Sequence, residues 1–392
     1  MNIILAYFEN MVNIPDGLEK VICDFANEFT RRGHRITIVD FDSKQGRPAH
    51  PLLESVPVIN LQTEPWLRKT RQEKIVRECY RLFGRAAVRS WIAGYKRKHG
   101  VSRFSAVVKE IQPDVIVSFE TMTSAEICRE KIDVPLVSSL QNEPHICCRN
   151  LPMAEKEALE KSQAVHVLMN SYVCALQELI ANPHIVYIPN AIPQCTSPAD
   201  LNQKKDTYRI INVARLNKKQ KRQEILIEAF SKIAAHYPKW NVELWGGDTS
   251  GYKNELKHMI KRLHMEDRIL IKGVTHQVDQ VYASADIFAF PSKFEGFPLS
   301  LSEAMGAGLP PVGFKSCSSV NELIIDGENG LLAEDGVEAF AQALEMLMKN
   351  QEARVRMGKA AHDSMKAYSP ENVWNQWESL LREVVKNAKK NE

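Results

Sequence analysis

Long apolar runs are absent from this chain of 392 residues. No stretch approaches the roughly 20 apolar residues that a bilayer-spanning helix needs, so no helix is expected to cross a membrane. The opening Met1-Asn2-Ile3-Ile4-Leu5-Ala6-Tyr7-Phe8-Glu9 has neither the basic flank nor the apolar length of a secretory leader, and a cytoplasmic protein is expected. Charge of one sign is also scarce. The net formal charge is +3, from 51 Lys and Arg against 48 Asp and Glu, which gives no support for a nucleic-acid binder. Eight cysteines are present without a C-x-x-C pair or zinc-site spacing. Only Cys147 and Cys148 lie close together, and adjacent cysteines rarely form a structural disulfide. Reduced, mostly buried thiols are the expectation. Sequence repeats and low-complexity tracts are missing.

What is there is an ordinary globular balance, 44% hydrophobic and 25% charged, in a chain too long for one core. Ile3 to Tyr7 suits a buried parallel strand. A loop with Pro15-Asp16-Gly17 follows, then an amphipathic helix with Leu18, Val21, Ile22, Phe25, Ala26 and Phe29 on one side. Gly33 ends it, and Arg35 to Asp40 is the next strand. This βαβ unit opens a doubly wound domain. Further strands are expected at 115–118, 136–139, 165–168 and 185–188. After a polar stretch a second series follows at 210–213, 242–244, 269–271, 287–290 and 311–313. The predicted architecture is α/β: a first Rossmann-like domain over 1–193, a linker over 194–207, a second Rossmann-like domain over 208–369, and a helix over 370–392. Val373, Trp374, Trp377, Leu380, Leu381 and Val384 form one face of that helix, and its tryptophans read as packing residues. Two such domains imply a cleft between their strand C-termini, where ligands of doubly wound sheets bind.

The most specific segment is Pro291-Ser292-Lys293-Phe294-Glu295-Gly296-Phe297-Pro298-Leu299-Ser300-Leu301-Ser302-Glu303. It leaves a strand, turns and opens a helix. Gly296 allows close approach of backbone to a ligand, and the helix start near Leu299 offers unpaired N–H groups to a diphosphate. A carboxylate accepts from two vicinal hydroxyls of a sugar or ribose. Two glutamates flanking an anion site therefore suit a nucleotide sugar, although the same pair elsewhere would be two solvated side chains.

This segment resembles the E-x7-E signature of glycosyltransferase family 4, retaining enzymes of GT-B fold also called glycosyl transferases group 1. The resemblance runs over nearly the whole chain. It includes Thr30-Arg31-Arg32-Gly33-His34-Arg35-Ile36-Thr37, Ile188-Pro189-Asn190-Ala191-Ile192, Val213-Ala214-Arg215-Leu216 with Lys221, and Asp326-Gly327-Glu328-Asn329-Gly330-Leu331-Leu332. It implies that Glu303 holds the ribose hydroxyls and that Glu295 touches the transferred sugar. Gly296, Phe297, Pro298 and Leu299 would meet sugar and phosphate. Arg215 and Lys221 would neutralise the leaving diphosphate, with Gly17 across the cleft from it and Gly273 beside the base. The last helix would cross back onto the first domain. No metal or other cofactor is implied.

Three departures from the family pattern stand out. Lys221 lies six positions after Arg215, one more than usual, and Lys218 or Lys219 is an alternative. Gly17 stands alone where many members carry two glycines. Ser139-Leu140-Gln141-Asn142-Glu143-Pro144-His145 resembles the S-E-R-N-D-P form of a subgroup of hexose and N-acetylhexosamine transferases of bacterial surface glycans, with Asn142 and Pro144 matching. On the acceptor side the candidates are Glu120, Asn142 and His145, the last equally readable as a surface histidine. Asp40-Phe41-Asp42 is a lone D-x-D, a metal motif in another glycosyltransferase fold, but here it ends a strand away from the inferred donor site.

Residues 66–103 hold twelve Lys and Arg and two acids, a net +10 against +3 for the whole chain. Arg77, Arg81, Arg85 and Arg89 recur every fourth residue as a stripe, beside a second stripe with Ile75, Val76, Tyr80, Leu82 and Phe83. Trp66, Trp91 and Tyr95 lie near the ends. The segment reads either as a docked helix with a solvated basic face or as an amphipathic surface for anionic lipid. The second reading would place the enzyme on the inner face of the cytoplasmic membrane.

The function expected is retaining transfer of a hexose or N-acetylhexosamine from a nucleoside-diphosphate sugar, UDP-linked by preference, to a saccharide or lipid-linked acceptor in surface-glycan assembly. The alternatives are a sugar-nucleotide epimerase of the same fold and a non-catalytic sugar-nucleotide-binding partner subunit. A phosphorylase is disfavoured, because no pyridoxal-phosphate lysine environment is visible.

Overall fold

A computed structural model describes residues 1–12, 17–62, 70–195, 197–248 and 251–391. The chain divides into two compact units. The first comprises Met1–Pro189 and returns from Val373 onward; the second comprises Asn190–Asn372.

In the first unit β1 (Asn2–Tyr7), β2 (Arg35–Asp40), β3 (Val58–Asn60), β4 (Val115–Ser118), β5 (Leu136–Ser139), β6 (Ala164–Val167) and β7 (Ile185–Tyr187) form one sheet in the order β3-β2-β1-β4-β5-β6-β7. Every pairing is parallel. The apolar runs at β1 and β4 are buried throughout on both faces, which is why they read as continuous rather than alternating. The Gly17–Arg31 helix lays Ile22, Cys23, Phe25, Ala26 and Phe29 into the core.

The second unit repeats the plan. Strands β8 (Tyr208–Val213), β9 (Trp240–Trp245), β10 (Ile269–Gly273), β11 (Ile287–Phe290), β12 (Pro311–Phe314) and β13 (Leu331–Ala333) order as β10-β9-β8-β11-β12-β13. In both sheets the order reverses direction once, between β1 and β4 and between β8 and β11. Doubly wound sheets open a ligand crevice at such a reversal, beyond the C-terminal ends of the strands.

The strands not foreseen are β3 and β13. Each is three residues long at a sheet edge, too short to carry a period. The described residues of 194–207, read as a linker, have no regular element, yet Leu201 is buried. Ala199 N–H donates to Ala307 O at 2.8 Å and Gln351 Nε2 to Leu201 O at 3.0 Å, so this stretch is bonded to the second unit.

The Pro370–Asn391 helix brings the chain back to the first unit. The ring centres of Trp374 and Trp377 lie 5.5 and 5.1 Å from that of Phe25. Arg32 and His34 reach Glu378 at 3.1 and 3.3 Å, and the bond from Arg382, followed by these two, holds the Glu378 carboxyl down at about 2. His166, buried against Trp377, has its pKa lowered to about 4 by burial. Its Nε2 faces the Ile188 carbonyl at 2.6 Å and its Nδ1 faces Ser139 Oγ at 2.7 Å. A carbonyl only accepts, so Nε2 carries the proton.

The arginine stripe needs correction. The helix stops before Gly84, whose φ is +92°, and a second helix starts at Arg85. The every-fourth spacing therefore spans two helices. Arg77 and Arg81 lie on the first. Arg89 lies on the second and turns inward, bonding Glu155 at 2.5 Å, Glu120 at 2.7 Å and Thr121 Oγ1 at 2.9 Å. Residues 66–69, with Trp66, lie outside the described residues.

Candidate functional site

The site is built on the reversal between β8 and β11. After β8 the chain runs through Ala214–Arg222 and enters the Gln223–Ile233 helix. Gln223 is fully buried and fixes that loop from beneath: its Nε2 donates to Arg215 O at 2.9 Å and its Oε1 accepts Asn217 N–H at 3.2 Å. Arg222, at φ +49°, donates from Nε to Pro291 O at 2.9 Å and from Nη2 to Ser292 O at 3.2 Å. Lys293 N–H donates to Gln220 O at 2.8 Å. The β8 loop and the β11 loop are thereby joined as one structure.

Those bonds bring Lys221 onto Glu295. The ammonium nitrogen lies 2.5 Å from Oε1, with side-chain exposures of 14% and 7%. Gln220 Nε2 adds a bond to Oε2 at 3.3 Å and one to Phe294 O at 3.2 Å. A mostly buried ion pair with a supporting amide is held in one geometry. Lys218, the alternative, instead pairs with Glu255 at 2.6 Å on the surface. Arg215 is exposed at the C-terminal end of β8. Gly296, Phe297 and Pro298 are buried and Leu299 is half-buried. Phe297 packs on Tyr368 at 5.8 Å.

Leu299 begins an eight-residue helix, Leu299–Gly306, that no side chain caps. Leu299 N–H donates to Phe297 O at 2.9 Å, and the Ser300 and Leu301 amides of this first turn are the ones placed for an acceptor. Glu303 lies one turn further on, and buried Tyr282 donates to its Oε2 at 3.2 Å. Burial, reinforced by the Glu303 charge, raises the Tyr282 pKa well above its ordinary value, so the phenol stays a donor. One wall thus offers cations, open amides and an oriented carboxylate within a few residues of each other. That set matches a diphosphate joined to a diol.

A third loop borders it. Gly246 N–H donates to Gly273 O at 2.8 Å, Ala214 N–H to Trp245 O at 2.9 Å and Leu216 N–H to Gly247 O at 2.8 Å. Gly273, at φ +84°, ends β10 and is joined by this chain of amides to the Arg215 loop. Gln220, Gln223, Arg222, Tyr282 and Gly246 escaped the sequence reading. Gly246-Gly247 directly after a strand was a usable signal. Gln220, Arg222 and Tyr282 act through partners distant in the chain, and Gln223 through the loop just before its helix.

The remaining candidates lie in the first unit. Gly17 is exposed as the first residue of its helix; the loop before it lies outside the described residues. Glu120 follows β4 and caps the Thr121–Arg129 helix through Thr123 N–H at 3.1 Å while pairing with Arg89. Burial raises its pKa against the opposing pull of Arg89. Asn142 and His145 follow β5 and are exposed around a short helix, Pro144–Cys147, capped by Glu143. Asp42 of the D-x-D accepts the amides of Met11, Val12 and Lys44 at 2.7, 2.6 and 2.7 Å, a loop-holding role. Among the described residues no three His, Cys, Asp or Glu side chains gather as metal ligands.

Residues 194–364 match the family described as "Glycosyl transferases group 1". The chain is 31% identical over 207 residues to an uncharacterised glycosyltransferase of Haemophilus influenzae, covering 52% of this chain and 57% of that one. It is 22% identical over 370 residues to the amylovoran biosynthesis glycosyltransferase AmsD of Erwinia amylovora, covering 93% and 95%. The chain spans about half or less of the length of several curated relatives it matches. Among solved structures, the Anabaena protein HepE in complex with UDP superposes with a TM-score of 0.75 at 19% identity, covering 98% and 100%. This is a likeness of fold. With two Rossmann-like sheets the chain has the GT-B fold, and it is residues 194–364, within the unit that carries this loop set, that match the group 1 glycosyl transferases.

Proposed function

We propose that this protein is a retaining glycosyltransferase. It takes a hexose or N-acetylhexosamine from a nucleoside-diphosphate sugar, UDP-linked, and places it on a saccharide or lipid-linked acceptor in surface-glycan assembly. The observation that carries the reading is the joined β8 and β11 loops, which set Lys221 and Gln220 on Glu295 beside the uncapped helix that carries Glu303. The UDP named for HepE and the amylovoran biosynthesis named for AmsD support the donor and the pathway class.

In this reading Glu303, oriented by Tyr282, accepts from the ribose hydroxyls, and the amides just after Leu299 donate to phosphate oxygens. Arg215 and Lys221 offset the charge that builds as the bond between the sugar C1 and the diphosphate oxygen breaks. The acceptor oxygen bonds to C1 on the same face, and its proton passes to the departing phosphate. Glu295 positions the sugar; no side chain is assigned as general base and no metal is invoked. Glu120, Asn142 and His145 are proposed to face the acceptor, with Gly17 by the diphosphate and Gly273 by the base.

The test is a donor panel. Purified protein is incubated with UDP-, GDP- and dTDP-sugars, with and without a membrane lipid extract, and free nucleoside diphosphate is measured. Release from one donor, stimulated by the extract and abolished in Glu303→Ala, supports transfer. Interconversion of the donor without nucleotide release supports an epimerase. Absence of donor binding moves the reading to a non-catalytic subunit.

A further inference from the structure

The helix Arg71–Arg81 is capped by Thr70 and Glu73, which exchange bonds in a full capping box. No residue of it is buried. At 3.6 residues per turn, Ile75, Val76, Cys79 and Tyr80, with Leu82 and Phe83 of the following turn, share one side. Glu73, Lys74, Arg77, Glu78 and Arg81 share the other.

The side turned toward the protein is the polar one. Glu73 Oε1 lies 3.6 Å from His99 Nε2 and 3.8 Å from Lys98 Nζ. Glu73 and Arg77 are the half-buried positions of the helix; the rest are exposed. The apolar side faces water, with Leu82 85%, Phe83 79% and Ile75 56% exposed and Val76 and Tyr80 beside them. Five large apolar side chains adjoining on a surface form a patch that a partner covers.

The rim of the patch identifies the partner. Arg71, Lys74 and Arg81 border it, all exposed. Glu78 is engaged by Arg77 at 2.8 Å and by Arg81 at 2.6 Å. Over Arg71–Arg81 there are four Lys and Arg against two Glu. A second copy of this face would set those like charges against each other, whereas an anionic surface attracts them. A helix of eleven residues is too short to cross a bilayer and long enough to lie in its interface.

We propose that the Arg71–Phe83 segment docks this protein on an anionic lipid bilayer. Leu82, Phe83, Ile75, Val76 and Tyr80 enter the boundary between headgroups and acyl chains, and Arg71, Lys74 and Arg81 meet lipid phosphates. The inference is independent of the donor chemistry, because none of these residues belongs to the second unit.

The test is co-sedimentation of the full chain with sucrose-loaded vesicles, either phosphatidylcholine alone or phosphatidylcholine mixed with phosphatidylglycerol. Binding is expected only to the anionic vesicles, and it weakens as salt rises. The Leu82→Ser/Phe83→Ser variant, altered at exposed positions, keeps the wild-type melting temperature but binds at least about tenfold more weakly. Arg71→Gln/Arg81→Gln binds the anionic vesicles more weakly, and its residual binding depends less steeply on salt. Wild-type protein that stays in the supernatant overturns the proposal, as does equal sedimentation of the Leu82→Ser/Phe83→Ser variant. A concentration-dependent dimer in analytical ultracentrifugation, abolished by those same two substitutions, assigns the face to a second copy and overturns it too.

Discussion

Replacing Gly246 by alanine tests whether the Arg215 loop is set by backbone contact rather than by its own side chains. Gly246 sits at φ +143°, a conformation costing an L-residue about 1–3 kcal/mol. A Cβ there would lie 2.0 Å from Ala214 O, 2.6 Å from Ala214 C and 3.2 Å from Arg215 N. Backbone rather than a flexible side chain blocks it, so the Ala214–Arg215 peptide must retreat by about 1 Å, an overpacking cost of about 1–3 kcal/mol. Together these give about 2–6 kcal/mol. In a unit of this size each kcal/mol lowers the melting temperature by about 2–4 °C, so a fall of about 4–24 °C is expected. Turnover should fall further than stability explains, because a 1 Å displacement of a charge-stabilising group costs on the order of a hundredfold. Gly273→Ala is the control. It also has positive φ, at +84°, but no atom lies within 4 Å of its added Cβ, so only the left-handed cost of about 1–2 kcal/mol applies. Differential scanning calorimetry and nucleotide release at a temperature where both variants are folded read the two effects. A Gly246→Ala protein that melts with Gly273→Ala and turns over like wild type refutes the reasoning.

Lys221→Met leaves the buried Glu295 carboxylate without its cation and should destabilise the second unit by about 3–5 kcal/mol, with loss of turnover. Adding Glu295→Leu should restore most of the melting temperature and none of the activity; recovered nucleotide release would show the pair to be structural only. Asp40 is buried without a bond to its Oδ1, and burial together with the neighbouring Asp42 pushes its pKa up to about 8. The folded state therefore binds this proton more tightly than the unfolded chain, and the stability it contributes is complete below about pH 4 and lost as pH rises through about 8. Asp40→Asn should match wild type near pH 4 and melt higher than it at pH 8. Parallel melting curves of the two proteins across that range would contradict this.

The elements easiest to read in the sequence were those whose burial is complete. Strands such as Val115–Ser118 and Ile287–Phe290 are enclosed on both faces, so apart from Ser118 every position is apolar and the run is self-evident. The edge strands β3 and β13 were hidden because three residues hold no period. The Pro291–Glu303 segment was legible because glycine, prolines and a helix start fall in one continuous stretch. Its supports were not. Arg222 acts on carbonyls 69 and 70 positions away, and Tyr282 reaches Glu303 from 21 residues upstream. The arginine stripe shows the opposite error, since a regular spacing invited one helix where Gly84 makes two.

By itself the sequence determined two parallel α/β sheets and the loop that carries Glu295 and Glu303, because strand burial, helix periodicity and turn chemistry act over a few neighbouring residues. Only the tertiary structure decided that Lys221 rather than Lys218 meets Glu295, that Arg89 turns inward, and that the Arg71–Arg81 helix shows its apolar side to water. Each of those choices depends on which distant residue arrives as neighbour, and that is fixed by the order of strands in the sheet and by the packing around it.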